Sequence, residues 1–97
     1  MERFTGAFVK SLAGHDKDCY FFILDESGEY VYLVDGKYRP MSRPKKKKKK
    51  HVEAISIKGI TPGEKIKNNE MVTDEEIKRF IKLFKREKRE MEQVVRR

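Results

Sequence analysis

Cys19-Tyr-Phe-Phe-Ile-Leu24 is the longest apolar run in the chain, six residues rich in the aromatic and β-branched types that suit a pleated strand. In a strand, Cys19, Phe21 and Ile23 point to one side and Tyr20, Phe22 and Leu24 to the other. Both faces are apolar, so both must be covered. Any sheet built on this strand needs packing on one side and a further element on the other. The run is far too short to cross a bilayer, and the N-terminus lacks the charged start and apolar middle of a signal peptide. A soluble cytoplasmic chain with no membrane partner is therefore expected.

Short partners for this strand flank it. Gly6–Leu12 begins like a strand and runs into the turn Ala13-Gly-His-Asp-Lys-Asp18. Asp25-Glu-Ser-Gly28 turns the chain into Glu29–Val34, with Tyr30 and Tyr32 on one face and Val31 and Leu33 on the other. Asp35-Gly36 has the signature of a type I′ hairpin leading into a short strand, Lys37-Tyr-Arg39. Pro40 and Pro44, which lack the N–H a ladder needs, end that strand. Val52–Ile57 alternates, placing Ile55 and Ile57 together. Five short, tightly turned strands within about fifty residues predict a small barrel rather than an open sheet.

Thr73-Asp-Glu-Glu76 is a capping box, and its three acids suit the positive end of a helix dipole. Ile77, Phe80, Ile81 and Phe84 then recur at helical spacing as one apolar stripe, the natural cover for the outer side of Cys19–Leu24. The stripe skips at Lys88 and resumes weakly at Met91, Val94 and Val95, which predicts a firm helix to about residue 86 and fraying beyond. Ninety-seven residues hold one small domain. The expected fold class is α+β, mainly β: residues 1–57 a barrel carrying a basic arm at 39–51, residues 58–72 a connector, and residues 73–97 a C-terminal amphipathic helix packed on the barrel.

Charge is concentrated in that arm. Of 24 Lys+Arg, eight lie within residues 39–50 with no acid among them, leaving 16 of each sign elsewhere. The formal excess of +8 thus belongs to one stretch, and such focusing attracts polyanions. Six adjacent lysines repel one another, so the run reads as an exposed arm rather than a helix or a buried strand. A solvated linker is its plainer reading. On the binding reading, Lys45, Lys46, Lys47, Lys48, Lys49 and Lys50 neutralise phosphates and release counterions. Arg39 and Arg43 add bidentate contacts, and Pro40 and Pro44 stiffen the approach. Tyr30, Tyr32 and Tyr38 are candidates for base stacking, although packing is the commoner use of a tyrosine.

The series Gly6-Ala-Phe-Val9, Ala13-Gly-His-Asp-Lys-Asp18, an apolar strand and Val34-Asp-Gly-Lys37 resembles a KOW domain. The order AGHDKD … YLVDGKYRPMSRPKKKKKKHV is similar to the small bacterial KOW-domain RNA-binding proteins, related to an archaeal and eukaryotic large-subunit ribosomal protein family. The similarity covers residues 4–57 well and 58–86 loosely. It implies an SH3-like five-stranded barrel that binds RNA on or near the ribosome; rRNA of the large ribosomal subunit is the expected partner and a monomer the expected state. The arm from Arg39 to His51 would be the main contact, with His15 and Lys17 of the first loop secondary. One position departs from the pattern: KOW motifs usually carry Lys-Gly where this chain has Lys17-Asp18. An acid there weakens attraction to phosphate, and the missing glycine narrows the backbone.

Signs of catalysis are missing. His15 and His51 stand 36 residues apart, and Cys19, four beyond His15, has no second cysteine or paired histidine to complete a metal site. Cys19 reads as a buried small hydrophobe, and the histidines as groups touching phosphate or solvent. Glu75 and Glu76 belong to the helix cap. With no nucleophile motif and no phosphate-cradling glycine loop, neither an enzyme nor a cofactor is expected. Rival readings are an SH3-like peptide-binding module, a KOW-type transcription-elongation or DNA-associated factor, and a nuclear import signal in the Pro-Lys run.

Overall fold

The central strand is the one that the apolar run predicts. The computed structural model describes residues 3–95, with backbone only for residues 93–95. Its strands are β1 (Phe8–Ser11), β2 (Tyr20–Ser27), β3 (Tyr30–Val34), β4 (Lys45–Lys48) and β5 (Val52–Ala54). They form one five-stranded antiparallel sheet in the order β4-β3-β2-β1-β5. Helices α1 (Pro62–Lys67) and α2 (Asp74–Val95) follow.

Both faces of β2 are covered. On one, Phe8, Tyr20, Phe22 and Val34 pack against Ile66 of α1 and Ile77 and Ile81 of α2. Phe80 meets Phe8 and Phe22 edge-on, and Phe84 meets Phe8 and Tyr20 likewise, with centroids 4.9–5.4 Å apart. Such edge-to-face pairs add to simple area burial. On the other face Val9, Phe21, Ile23, Val31 and Leu33 form a second cluster, joined by Phe4, Ala7 and Val52. The capping box is made as expected: Thr73 Oγ1 accepts from the Glu76 N–H at 3.2 Å, and the Glu76 carboxylate from the Thr73 N–H at 3.1 Å. At the skip in the apolar stripe, Lys88 donates to the Tyr20 hydroxyl at 2.6 Å. The helix continues to Val95, past the end expected near residue 86.

Several expectations give way. The lysine run is not an arm. Lys45–Lys48 is an edge strand, paired Leu33↔Lys45, Tyr32↔Lys46, Val31↔Lys47 and Tyr30↔Lys48, and Lys49–His51 is a 3₁₀ turn into β5. Repulsion among the lysines does not prevent this, because a strand separates them. Successive side chains point to opposite faces, so like neighbours on one face stand roughly 6–7 Å apart. Lys37–Arg39 is loop rather than strand, because Asp35 Oδ1 accepts from the N–H groups of Lys37 and Arg39 and bends the chain there. The presumed connector contains α1, started by Thr61, whose hydroxyl accepts from the Gly63 N–H, with Pro62 at the first helical position. Finally, β4 and β5 remain the two edges of the sheet, with no ladder between them among the described residues.

Gly36 serves the helix rather than a two-residue hairpin. It has φ +78°, and a Cβ there would fall 2.2 Å from the Asp74 carbonyl oxygen and 2.8 Å from the Lys78 nitrogen. Gly28 has a similar φ of +59° but open space around it. Gly28→Ala is thus expected to cost only the backbone strain, about 1 kcal/mol. Gly36→Ala adds displacement of the start of α2 and should cost about 2 kcal/mol or more. Urea unfolding of the two variants tests this; equal midpoints would contradict it.

Candidate nucleic-acid interface

Alternation divides the lysines into two functional kinds. Lys45 and Lys47 share the face of Val31 and Leu33. The Lys47 side chain is 9% exposed and its ammonium donates to Ser11 Oγ at 2.7 Å, to the Ala13 carbonyl at 2.8 Å and to Asp16 Oδ1. Lys45 Nζ lies 3.3 Å from the other oxygen of Asp16. Burial by itself would raise the Asp16 pKa, but the hydrogen bonds from Lys47 and Ser11 and the ammonium of Lys45 nearby outweigh it and hold the carboxyl at about 2.

Glu26 plays a matching part near the 3₁₀ turn. One oxygen accepts from the N–H groups of Phe4 and Thr5 at 2.6 and 2.9 Å and from the Thr5 hydroxyl, while the other lies 3.2 Å from Lys49 Nζ. Desolvation opposes the charge here too, and those donors overcome it, bringing Glu26 to about 2. Lys48 is 3.9 Å from Glu29. Four of the six lysines are therefore held by the chain's own carboxylates, loosely in the case of Lys48.

What stays open is narrower than the thirteen-residue basic arm expected from the sequence. Lys46 and Lys50 are exposed, with no carboxylate at ion-pair distance among the described residues. Lys46 and Lys48 share a face with Tyr32 and Tyr30, their register partners, and Lys46 Nζ sits 4.2 Å from the centre of the Tyr30 ring. The result is a ladder of two tyrosines beside two lysines on the outer side of β3 and β4. Arg39 and Arg43 are exposed in the β3–β4 loop with Tyr38, itself 74% exposed and covered by Lys37 at 4.9 Å.

Asp16 also draws the 13–18 loop to β4, so His15 and Lys17, both exposed, come to the end of the sheet where Lys45 begins. Asp18 takes φ +69°, adopting the left-handed conformation that a glycine would give more cheaply. His51 is half-buried in the 3₁₀ turn, where its carbonyl accepts from the Leu12 N–H at 2.9 Å. Cys19 is exposed, not buried: β2 starts one residue later, and Cys19 closes the loop through its bond to the Asp16 carbonyl. The pairing of tyrosines with lysines across β3 and β4 had no sequence signal, since a run of identical residues carries no register. No protein-family model matches the chain, and no curated protein is significantly similar to it.

The two kinds of lysine should separate in stability. Lys47→Met leaves Asp16 buried without its main partner, with an expected loss of about 3 kcal/mol or more. Lys46→Gln should stay within about 0.5 kcal/mol of the parent. Urea denaturation compares them, and equal losses would contradict the division.

Acid should act through the same groups. Asp16 and Glu26 titrate at about 2 in the fold, against ordinary values of 3.8 and 4.5. Between those limits the unfolded chain binds more protons, so stability rises with pH. Their contribution, on the order of 2–3 kcal/mol each, is complete above about pH 5 and lost progressively toward about pH 2. Asp16→Asn should lower stability at neutral pH and flatten this acid limb; a limb of unchanged steepness would count against the assignment.

Proposed function

We propose that this chain is a non-catalytic RNA-binding protein, associated with the ribosome through rRNA, that takes an unpaired RNA segment on the outer face of β3 and β4. The observation that carries the reading is the in-register ladder of Tyr30, Tyr32, Lys46 and Lys48. Every base has a π-face, so stacking on a tyrosine stabilises a single strand by about 1–3 kcal/mol per base without demanding a sequence. Lysine ammonium groups beside the rings neutralise phosphates as point charges, again without base readout. Arg39 and Arg43 in the adjoining loop supply the planar forks that suit bidentate phosphate contacts. Lys50 extends the cationic edge.

The KOW-like order of motifs supports the choice of rRNA as partner. The connection of β4 through a 3₁₀ turn to β5, and the pairing of β5 with β1, support an SH3-like barrel. On this reading the open side of the sheet is spanned from β4 to the end of β1 and the loop after it by side chains, chiefly Lys47 on Ser11 and Asp16.

One feature favours a second reading, a peptide-binding module: an open hollow lined by Leu24, Met41, Ile66, Met71 and Val72 together with Asn69 and Glu70, in which Met71 is 90% exposed. Salt separates the two. Binding of an unpaired RNA should weaken as salt rises, with a log–log slope near −0.7 per phosphate neutralised, whereas a peptide in the hollow responds weakly. The double variant Lys46→Gln/Lys50→Gln should make the slope shallower by roughly 1.4 while leaving the fold intact. Tyr32→Ala should lower affinity by about fivefold or more. Unchanged affinity and slope in both variants would defeat the RNA reading, as would failure of the parent chain to co-sediment with ribosomal subunits at low salt.

A further inference from the structure

Positions 78–89 of α2 hold seven basic residues, with Glu87 the one acid among them. Acids earlier in the chain balance them in the overall count, so net charge does not reveal them. The helix geometry fixes where they lie. Ile77 and Ile81 are buried on the sheet and Lys88 reaches Tyr20. At about 100° per residue, Arg79, Lys82, Arg86 and Arg89 fall on the opposite side, and all four are exposed. They span about 15 Å of helix axis, with successive cations about 4.5–6 Å apart. Arg86 has a distant partner in Glu90 at 4.0 Å; among the described residues no carboxylate reaches ion-pair distance of the other three.

We infer that this outward stripe is a second phosphate-binding surface, which takes the backbone of an RNA duplex while the β3–β4 ladder holds an unpaired segment. Four observations lead to a duplex backbone. The charges lie in line on a rigid rod, so binding them to a regular row of phosphates orders little that is not already ordered. Their spacing is of the same few-ångström order as the rise per phosphate along one strand of a duplex. Three of the four are arginines, whose forks pair bidentately with phosphate. The stripe also holds no aromatic ring, so an unpaired strand finds there none of the tyrosine stacking that β3 and β4 offer. A bilayer is a poor occupant, because the apolar face the helix would have to insert is already packed on the sheet. The choice of RNA among duplexes rests on the function proposed above; the position and linear form of the surface do not.

The test uses the full chain carrying Arg79→Gln, Lys82→Gln, Arg86→Gln and Arg89→Gln. Glutamine keeps helix propensity and all four sites are exposed, so circular dichroism and the urea midpoint should match the parent. Affinity is measured across a salt series for a blunt RNA duplex and an unpaired RNA of equal length. Duplex affinity should fall about tenfold or more and its salt slope become shallower by about 3–4, while affinity for the unpaired RNA changes less than about threefold. Unchanged duplex binding, or equal losses for both RNAs, would overturn the inference. So would displacement of the duplex from the parent by poly-glutamate at lower charge concentration than by competing duplex RNA. Lys46→Gln/Lys50→Gln, run in parallel, keeps the two surfaces apart: if it spares the unpaired RNA while the stripe variant loses the duplex, the ladder reading fails and the stripe stands.

Discussion

The buried ammonium of Lys47, gripped by Asp16, Ser11 and the Ala13 carbonyl, is the contact on which the sheet depends. It reaches from the β4 edge across the apolar face of the sheet to the end of β1, joining parts of the sheet that share no ladder. A buried pair of this kind adds little over an apolar replacement of the same shape, because desolvating both charges offsets their attraction. Losing one partner is a different matter, since the other charge stays behind. The contribution we assign to Lys47 is therefore specification as much as stability. Nothing inside a run of identical lysines distinguishes one pairing with β3 from the next; Asp16 and Ser11 do.

Structure and proposed function meet at that point. The alternation that sends Lys45 and Lys47 inward turns Lys46 and Lys48 outward beside Tyr32 and Tyr30. The ladder proposed to hold RNA on this face exists only while the inward pair is anchored. The same acid that holds the anchor also pulls the 13–18 loop onto the sheet, so loop and strand are positioned by one carboxylate. Basic residues that look interchangeable in the sequence thus divide into those that build the surface and those that constitute it.

Where local chemistry decides the outcome, the sequence was readable. The two-sided apolar run became the central strand, the Thr73–Glu76 box capped its helix, and Ile77, Phe80, Ile81 and Phe84 covered β2. Where a distant partner decides it, reading failed. Lys45–Lys48 is a strand because β3 and Asp16 make it one, and Asp35-Gly36 is shaped by its approach to α2 rather than by hairpin geometry. Cys19 lies one residue outside β2, and that single step leaves it exposed. The candidate interface was half legible: the basic residues and tyrosines were identified, but which of them face each other follows from a register that six identical letters cannot encode. The α2 stripe escaped for another reason, since balancing charges over the whole chain hides clusters that acids elsewhere offset.

The all-lysine composition of β4 has a consequence for how this protein tolerates change. Pro44 sets where the tract enters the sheet and the 3₁₀ turn sets where it leaves. An added or deleted lysine between those fixed ends would exchange the inward and outward classes over part of the strand, leaving the composition nearly the same. Conservative replacements at the outward sites should be absorbed, while a change of one in the tract's length should not. Variation in this segment is thus constrained by parity, an inheritance rule set by strand geometry rather than by charge.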